Sequence, residues 1–202
     1  KAAALRQSAL KEINHLLGHE VERLQTLARV NDHVRPEEIR LANFFPELFH
    51  CSGFALFGKA TEDGRMYHGR ILDYLRGLGL EQSAIVMVFQ PDQGNAWVNV
   101  GYAGFIGSVT AMNEKHIAIG EMGGRGEGNW DGKPMAQLVR EVMEKASTLE
   151  EAVAIMRQGP RTCEYYYVIS DAKSKRAVGI AATQDRSGLA SAWRMPVRIC
   201  CW

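Results

Sequence analysis

A β-hairpin that begins at a cysteine is the strongest constraint that the sequence places on the fold. A short apolar run, residues 52–57, follows Cys51, and the turn signal Glu62-Asp63-Gly64 separates it from a second segment, residues 66–73. An Asp-Gly pair between two short strands is typical of a tight hairpin turn. We therefore predict that the two segments pair antiparallel, which brings the returning strand back beside Cys51.

Arg70 and Asp73 lie on the returning strand and make this hairpin a candidate catalytic site. A neighbouring guanidinium lowers the pKa of a thiol, and a carboxylate can orient a nearby amine or another base. The alternative is structural, because a lone cysteine before an apolar strand is often a small buried hydrophobe. An arginine three residues from an aspartate is also often a surface ion pair. On residue types alone, both interpretations stay open.

Three motifs occur in order along the chain. They are Cys-Ser-Gly-Phe at residues 51–54 with Gly-Arg-x-x-Asp at 69–73, Gly-x-x-Gly-x-x-x-x-Met-Asn-Glu-Lys-His-Ile-Ala-Ile at 104–119, and Tyr-Tyr-Tyr-Val-Ile-Ser-Asp at 165–171 with Ala-Val-Gly-Ile at 177–180. Together they resemble cysteine-type N-terminal nucleophile (Ntn) hydrolases of the penicillin acyltransferase-like family, the acyl-coenzyme A:6-aminopenicillanic acid acyltransferases. Choloylglycine hydrolases, penicillin V acylases and acid ceramidase are related to this family. His116 departs from the second motif, in which glycine is usual.

The resemblance implies both a fold and a chemistry. The fold is α+β, with two antiparallel sheets faced by helices in the αββα layers of an Ntn hydrolase. Cys51 would be the nucleophile, and autocatalytic cleavage of the His50-Cys51 bond would free its α-amine to act as the base. Asp73 would hold that amine and Arg70 would supply positive charge. Glu121 stands where ceramidase-like relatives have a functional glutamate, and backbone N–H groups near it would form part of an oxyanion hole.

The resemblance also divides the chain into two parts. Residues 1–50, with apolar side chains at helical spacing, are predicted to be a helical pro-segment, and residues 51–202 the Ntn-hydrolase-like core. The relatives carry an oxyanion-stabilising asparagine downstream of Asp171, whereas residues 163–202 contain no asparagine. We therefore expect a truncated core with an incomplete second sheet, and a tail of about residues 190–202 that is not native sequence.

Regular elements are predicted between these motifs. Strands are expected at residues 84–90, 96–100, 108–112 and 117–122, and a strand pair within 163–182. A glycine-rich loop at residues 123–133 is expected to rim a pocket. Helices are expected to begin at Pro134 and at the capping box Thr148-Leu149-Glu150-Glu151. The meander of strands followed by two helices is consistent with the α+β class.

Composition narrows the range of partners. Twenty-four basic and 23 acidic residues give a net charge of +1, and no basic block exists, so we predict no nucleic-acid partner. No apolar run is long enough for a membrane span.

The four cysteines include no Cys-x-x-Cys pair, and His15 and His19 are interpreted as solvated or capping residues, so neither a metal nor another cofactor is predicted. Localisation stays open between the cytoplasm and secretion after removal of a signal before residue 1.

The predicted function is that of a cysteine-nucleophile acyl hydrolase acting on linear amides or carboxylic esters. Its partners would be a small-molecule acyl substrate and further copies of the chain, since a homo-oligomer would cover an open sheet edge. Without the oxyanion asparagine we expect activated esters to be cleaved more readily than amides, because one lost donor costs about 10²–10³ in rate. The alternative is a catalytically silent module that keeps the fold for binding or assembly.

Overall fold

The computed structural model describes residues 50–73, 79–123, 132–158, 161–183, 187–190 and 197–200. In these residues the chain forms ten β-strands and two α-helices. They are β1 (His50–Leu56), β2 (Tyr67–Asp73), β3 (Ala84–Phe89), β4 (Trp97–Tyr102), β5 (Thr110–Asn113), β6 (Ile117–Gly123), α1 (Met135–Lys145), α2 (Leu149–Arg157), β7 (Tyr165–Asp171), β8 (Arg176–Ala182), β9 (Ser187–Ala190) and β10 (Val197–Cys200). Apart from His50, the predicted pro-segment lies outside the described residues, as does most of the glycine-rich loop.

The strands form two antiparallel sheets, which confirms the α+β class. A three-stranded sheet has the order β10-β1-β2, and a seven-stranded sheet runs from β3 to β9 in sequence order. Strand β1 packs on β6 and β7, while α1 packs against β5 and β6, and α2 against β7. The layers in the described part of the chain are therefore helices, large sheet and small sheet. The fourth, helical layer of the αββα prediction is not among these residues.

The predicted hairpin of β1 and β2 is confirmed, with Cys51 opposite Leu72, Gly53 opposite Arg70, and Ala55 opposite His68. Because side chains alternate between the faces of a strand, these residues share the face that covers the large sheet. Cys51 and Ala55 pack there in a small core cluster with Met122, Val168 and Ala177 of the large sheet. The small sheet therefore packs on the large sheet through the face that carries Cys51.

The helical layer follows the sequence closely. Helix α1 begins directly after Pro134 and buries one apolar side. At the start of α2, the Thr148 hydroxyl accepts a hydrogen bond from the Glu151 N–H at 3.2 Å, as the capping box predicts. The Glu151 carboxylate reaches back to the N–H of Ser147, one residue before the expected partner. Both helices bury their apolar sides in the main core.

The second motif is explained by the turn between β5 and β6. The Asn113 side chain accepts hydrogen bonds from the N–H groups of Lys115 and Ile117, and donates to two carbonyls in the last turn of α1 and just beyond it. His116 has φ of 61°, a left-handed conformation that glycine adopts without steric cost. This backbone geometry accounts for the glycine that is usual at this position.

The C-terminal residues contain a strand for which the sequence pattern predicts none. Strand β10 pairs antiparallel with β1, placing Ile199 opposite Gly53. It falls within the segment expected to be non-native, where side chains lack strand alternation. Backbone pairing with an open strand edge needs no side-chain pattern, which is why periodicity misses this strand.

Candidate active site

Cys51 lies at the start of the inner face of β1, next to the His50-Cys51 peptide bond. Its side chain is a free thiol and the residue is only 2% exposed. The thiol donates a hydrogen bond to Oε1 of Glu121 at 3.2 Å, and Nη2 of Arg70 donates one to the sulfur at 2.9 Å. The structure thus brings together three of the four residues that the sequence predicts for the site.

Arg70 and Glu121 form a buried ion pair around this sulfur. Their side chains are 2% and 0% exposed, and the guanidinium contacts both the carboxylate and the main-chain carbonyl of Glu121. Two further atoms of the pair, Nη1 of Arg70 and Oε2 of Glu121, are buried with no partner in the described part of the chain. Such atoms are costly to bury unpaired, so the cluster has capacity to bind a polar group.

The electrostatics of the cluster oppose a resting thiolate. Burial raises the pKa of the Cys51 thiol well above its usual range, and the Glu121 charge adds to this, whereas Arg70 and a backbone hydrogen bond from Asp73 act in the other direction. Burial also raises the pKa of Glu121 to about 7, although Arg70 opposes the shift. The thiol is therefore neutral at rest, beside a carboxyl group able to take or return a proton near neutral pH.

Asp73 approaches the cysteine only through its backbone. It stands opposite His50 at the end of β2, and its exposed side chain follows the strand alternation onto the face away from Cys51. Its carboxylate makes no hydrogen bond with another described residue. The predicted role of Asp73 in holding an α-amine stays a prediction.

Gly120 on β6 explains how Arg70 reaches the cysteine. A Cβ atom at this position would lie 2.6 Å from Cγ of Arg70 and 3.3 Å from Nε2 of His68. The missing side chain lets β2 approach β6 closely enough for the guanidinium to extend past the strand to Glu121. Glycine is thus required here for close packing rather than for an unusual φ.

One of the oxyanion donors predicted at residues 121–123, the N–H of Glu121, already has a partner. The N–H of Glu121 donates to the carbonyl oxygen of Val109 at 3.2 Å, so it is already used within the sheet. This N–H would have to weaken or give up that bond to stabilise an oxyanion. It is therefore not a preorganised donor in the structure.

His68 is a polar residue of this region for which no sequence motif predicts a role. Its Nδ1 lies 2.7 Å from the hydroxyl oxygen of Ser170, while its Nε2 is buried without a partner in the described residues. His68 stands two residues before Arg70 on one strand, so the two side chains share a face. That spacing could have identified it, but Ser170 is 102 residues away and has no such signal.

Metal-binding clusters and membrane-length apolar helices are both absent from the described residues. They contain no group of three or more His, Cys, Asp or Glu residues that could hold a metal ion. No helix among them is long and apolar enough to cross a membrane.

Comparison with known proteins gives first the fold class. A solved structure of a Caenorhabditis elegans N-acylethanolamine-hydrolyzing acid amidase ortholog superposes with a TM-score of 0.55 at 18% identity, over 69% of this chain and 63% of that one. The fold is that of an Ntn hydrolase.

The sequence then gives the family. The profile of the acyl-coenzyme A:6-aminopenicillanic acid acyl-transferase family matches residues 60–189, more than half of the 202 residues, and the chain belongs to this family. The match includes Arg70, Asp73 and Glu121 but begins after Cys51.

Curated relatives are longer than this chain. The N-acylethanolamine-hydrolyzing acid amidase of Mus musculus is 26% identical over 141 residues, covering 64% of this chain and 38% of the relative. The acid ceramidase of Balaenoptera acutorostrata scammoni is 27% identical over 177 residues, covering 74% and 43%. The chain therefore spans about two fifths of the length of these relatives.

Proposed function

We propose that this chain carries the nucleophile of an acyl hydrolase that cleaves linear amides, and activated esters more readily, after autocatalytic cleavage at His50-Cys51. The observation that carries this proposal is the contact of one thiol with both a buried guanidinium and a buried carboxylate, directly after the bond to be cut. The amidase named among the relatives supports amides as the substrate class.

The first step of the proposal activates Cys51 for cleavage. Glu121 accepts the thiol proton through the existing 3.2 Å hydrogen bond, and Arg70 stabilises the thiolate that forms. The sulfur attacks the carbonyl carbon of His50, the C–N bond breaks as the proton passes to the Cys51 nitrogen, and a thioester results. Water then hydrolyses the thioester, leaving a carboxylate on His50 and a free amine and thiol on Cys51.

The second step is turnover of substrate. The α-amine of Cys51 takes the thiol proton as sulfur attacks the substrate carbonyl, and the same proton goes to the leaving amine or alcohol. Water hydrolyses the acyl-cysteine and restores the thiol. An amine whose pKa lies near 8 suits this role, whereas the buried thiol alone, with its raised pKa, would be a poor nucleophile.

Intact-mass spectrometry tests the cleavage step. The wild-type chain should yield two pieces, residues 1–50 and 51–202, and both Cys51→Ala and Glu121→Gln should remain a single piece. Cys51→Ser should be cut more slowly, because a hydroxyl is a weaker nucleophile. Cys163→Ala is the matched control, since Cys163 is also a buried cysteine but lies in the helix-side core. Cleavage of Cys51→Ala at the same bond would overturn the proposal.

Hydrolysis assays test the chemistry. Wild type should turn over a p-nitrophenyl short-chain ester faster than the matching anilide, and Cys51→Ala should lose both activities by at least about 10³-fold. Faster anilide cleavage would contradict the expected ester preference. Equal ester rates in the two proteins would place the activity away from Cys51.

A catalytically silent module is the second candidate. It is favoured by the burial of Cys51 and by the raised pKa of its thiol, which make the sulfur a weak nucleophile in the uncut chain. A wild-type chain that stays intact and reacts with no ester or amide, yet is folded, would support this candidate over the hydrolase.

A further inference from the structure

Strand β3 forms one edge of the seven-stranded sheet, and β4 is the only described strand that pairs with it. The outer edge of such a strand presents N–H and C=O groups that can pair with another strand. Natural proteins usually protect an edge with a charge, a proline or a β-bulge. The sequence of β3, Ala-Ile-Val-Met-Val-Phe, has no charge and no proline, and its register with β4 runs without a bulge. This edge therefore lacks the usual protection against pairing.

The hydrogen-bond pattern shows which residues of β3 face outward. In an antiparallel pair, residues that exchange hydrogen bonds alternate with residues that do not. The N–H of Ala103 donates to the carbonyl oxygen of Ser83 at 2.8 Å, in the register of β3 and β4, so bonding to β4 recurs at the odd-numbered residues of β3. The N–H and C=O groups of Ala84, Val86 and Val88 consequently point away from β4.

The side chains of the outward-facing residues make this edge apolar. Val86 and Val88 are 66% and 72% exposed, and Val100, which lies opposite Val86 on β4, is also half exposed. The nearest charged residues, Glu81 and Asp92, lie outside the strand. A strand that pairs here should be uncharged and apolar, because a charge placed against these valines would lose water without gaining a counter-ion.

The β3 strand of a second copy meets these requirements. In a two-fold dimer both subunits use the same surface, so residue pairs across the axis are reciprocal. Antiparallel pairing centred on Val86 would place Val86 opposite its own copy and Ala84 opposite Val88. These pairs would exchange about six backbone hydrogen bonds. They would also make β-branched side chains direct cross-strand neighbours, which stabilises a sheet.

We propose that two copies of this chain associate through β3, antiparallel about a two-fold axis at Val86, so that their large sheets join into one. The homo-oligomer predicted from the sequence thereby acquires a specific interface. This interface does not depend on Cys51 being a nucleophile, since β3 contributes no residue to the candidate active site.

Sedimentation velocity over a range of concentrations tests the dimer, with the full chain carrying Cys51→Ala so that cleavage cannot alter its mass. We expect a monomer–dimer equilibrium, and Val86→Lys should weaken it at least about 10-fold because two lysines would face each other. Val100→Lys is the matched control, since Val100 is exposed on the same face but belongs to β4. A background protein that stays monomeric, or equal weakening by the two variants, would overturn the proposal.

A charge swap tests the two-fold register. Val86→Lys and Val86→Glu should each be mainly monomeric, whereas an equimolar mixture should form a dimer of mixed mass in native mass spectrometry, because opposite charges then face each other. A mixture as monomeric as its components would show that Val86 does not meet its own copy, and the proposed pairing would be wrong.

Val86→Pro tests the backbone contact without adding a charge. Proline removes an outward N–H that β4 does not use, so the variant should fold and its dimer should be about 10- to 100-fold weaker. A dimer of unchanged affinity in the folded variant would overturn the pairing through this edge.

Hydrogen exchange keeps the proposal falsifiable if Val86→Pro does not fold. In the Cys51→Ala protein, the amides of Ala84, Val86 and Val88 should exchange more slowly as the concentration rises, whereas those of Ile85 and Met87, bonded to β4, should be protected throughout. Rapid exchange of the outward amides in a sample that is fully dimeric would place the interface elsewhere. Protection that persists in dilute monomer would show that a segment of the same chain covers the edge, which would also overturn the proposal.

Discussion

The two faces of the large sheet differ in what they bury. The face toward α1 and α2 is closed by apolar side chains that are almost completely buried, such as Ile117, Ile119 and Leu138. The face toward the small sheet holds the buried Arg70–Glu121 pair in contact with Cys51, although single unpaired nitrogens of Trp97 and Gln137 are also buried on the helix side. Local departures from good packing and hydrogen bonding are expected where a protein binds or reacts, so we expect the helix face to contribute mainly stability and the small-sheet face to carry the proposed chemistry.

The face toward the small sheet also leaves apolar area uncovered. The small sheet covers β6 and β7, whereas side chains on β3, β4 and β5 stay exposed, up to 72% for Val88. The exposed apolar side chains on the small-sheet face of the large sheet are Val86, Val88, Val100 and Met112. The free energy of unfolding should therefore respond most to substitutions on the helix side of the large sheet. The rate of cleavage at His50-Cys51 should respond most to substitutions on the small-sheet side.

Leu138→Ala should have the largest effect on stability. Leu138 is fully buried between α1 and the sheet, and removing a buried leucine side chain costs about 2–5 kcal/mol of the free energy of unfolding. Urea unfolding of the variant, with cleavage at His50-Cys51 measured per folded molecule, checks this. The expected difference between the two faces would be wrong if Leu138→Ala lowered the free energy of unfolding less than Cys51→Ala does. It would also be wrong if Leu138→Ala changed the cleavage rate per folded molecule.

His68→Phe should change how stability depends on pH. The folded state lowers the pKa of His68 from 6.5 to about 4, so the unfolded chain binds its proton first and stability falls as pH drops from about 6.5 to about 4. The shift in pKa corresponds to a loss of about 3 kcal/mol in the free energy of unfolding of the wild type, a loss that His68→Phe should not show.

Urea unfolding at pH 7 and pH 4 of both proteins measures this difference. Glu121, whose pKa is raised, contributes in the opposite direction but is present in both chains, so it cancels. Parallel losses on acidification in the two proteins would show that His68 is not held neutral.

Gly120→Ala should displace Arg70 and slow the cleavage at His50-Cys51 by about 10- to 100-fold, because misplacing a reacting group by about 1 Å has effects of this size. Gly101→Ala is the matched control. It lies on β4, where the nearest atom to an added Cβ is 3.4 Å away, compared with 2.6 Å at Gly120. Time courses by mass spectrometry decide between them, and equal rates for both variants would mean that Gly120 does not position Arg70.

Thr148→Ala should have the smallest effect, about 1 kcal/mol, because it removes one hydrogen bond at the start of α2 on the helix side. Thermal unfolding measures the loss, and the cleavage rate should not change. A change in that rate would show that the two faces are coupled.

Sequence patterns predict the local elements of this protein better than its site. The pairing of β1 with β2, the start of α1 and the cap at Thr148 are encoded by neighbouring residues and are found as predicted, although residues 57–66 form a longer connection than the tight turn expected from Asp63-Gly64. The contact of Cys51 with Glu121 joins residues 70 apart, and only the family resemblance suggests it. The contact of His68 with Ser170 and the pairing of β10 have no local signal, since both arise from the packing of distant strands.

The position of Cys51 within a strand has one further consequence. The His50-Cys51 bond lies inside β1, where Cys51 is matched to Leu72 and the next residue, Ser52, is matched on both sides. The backbone ladder therefore fixes the cysteine independently of the covalent link that precedes it. Breaking that bond would make Cys51 a new N-terminus that the strand pairing already holds in one conformation. Cys51 could therefore act first as an internal residue and then as the N-terminal residue without a rearrangement of the sheet.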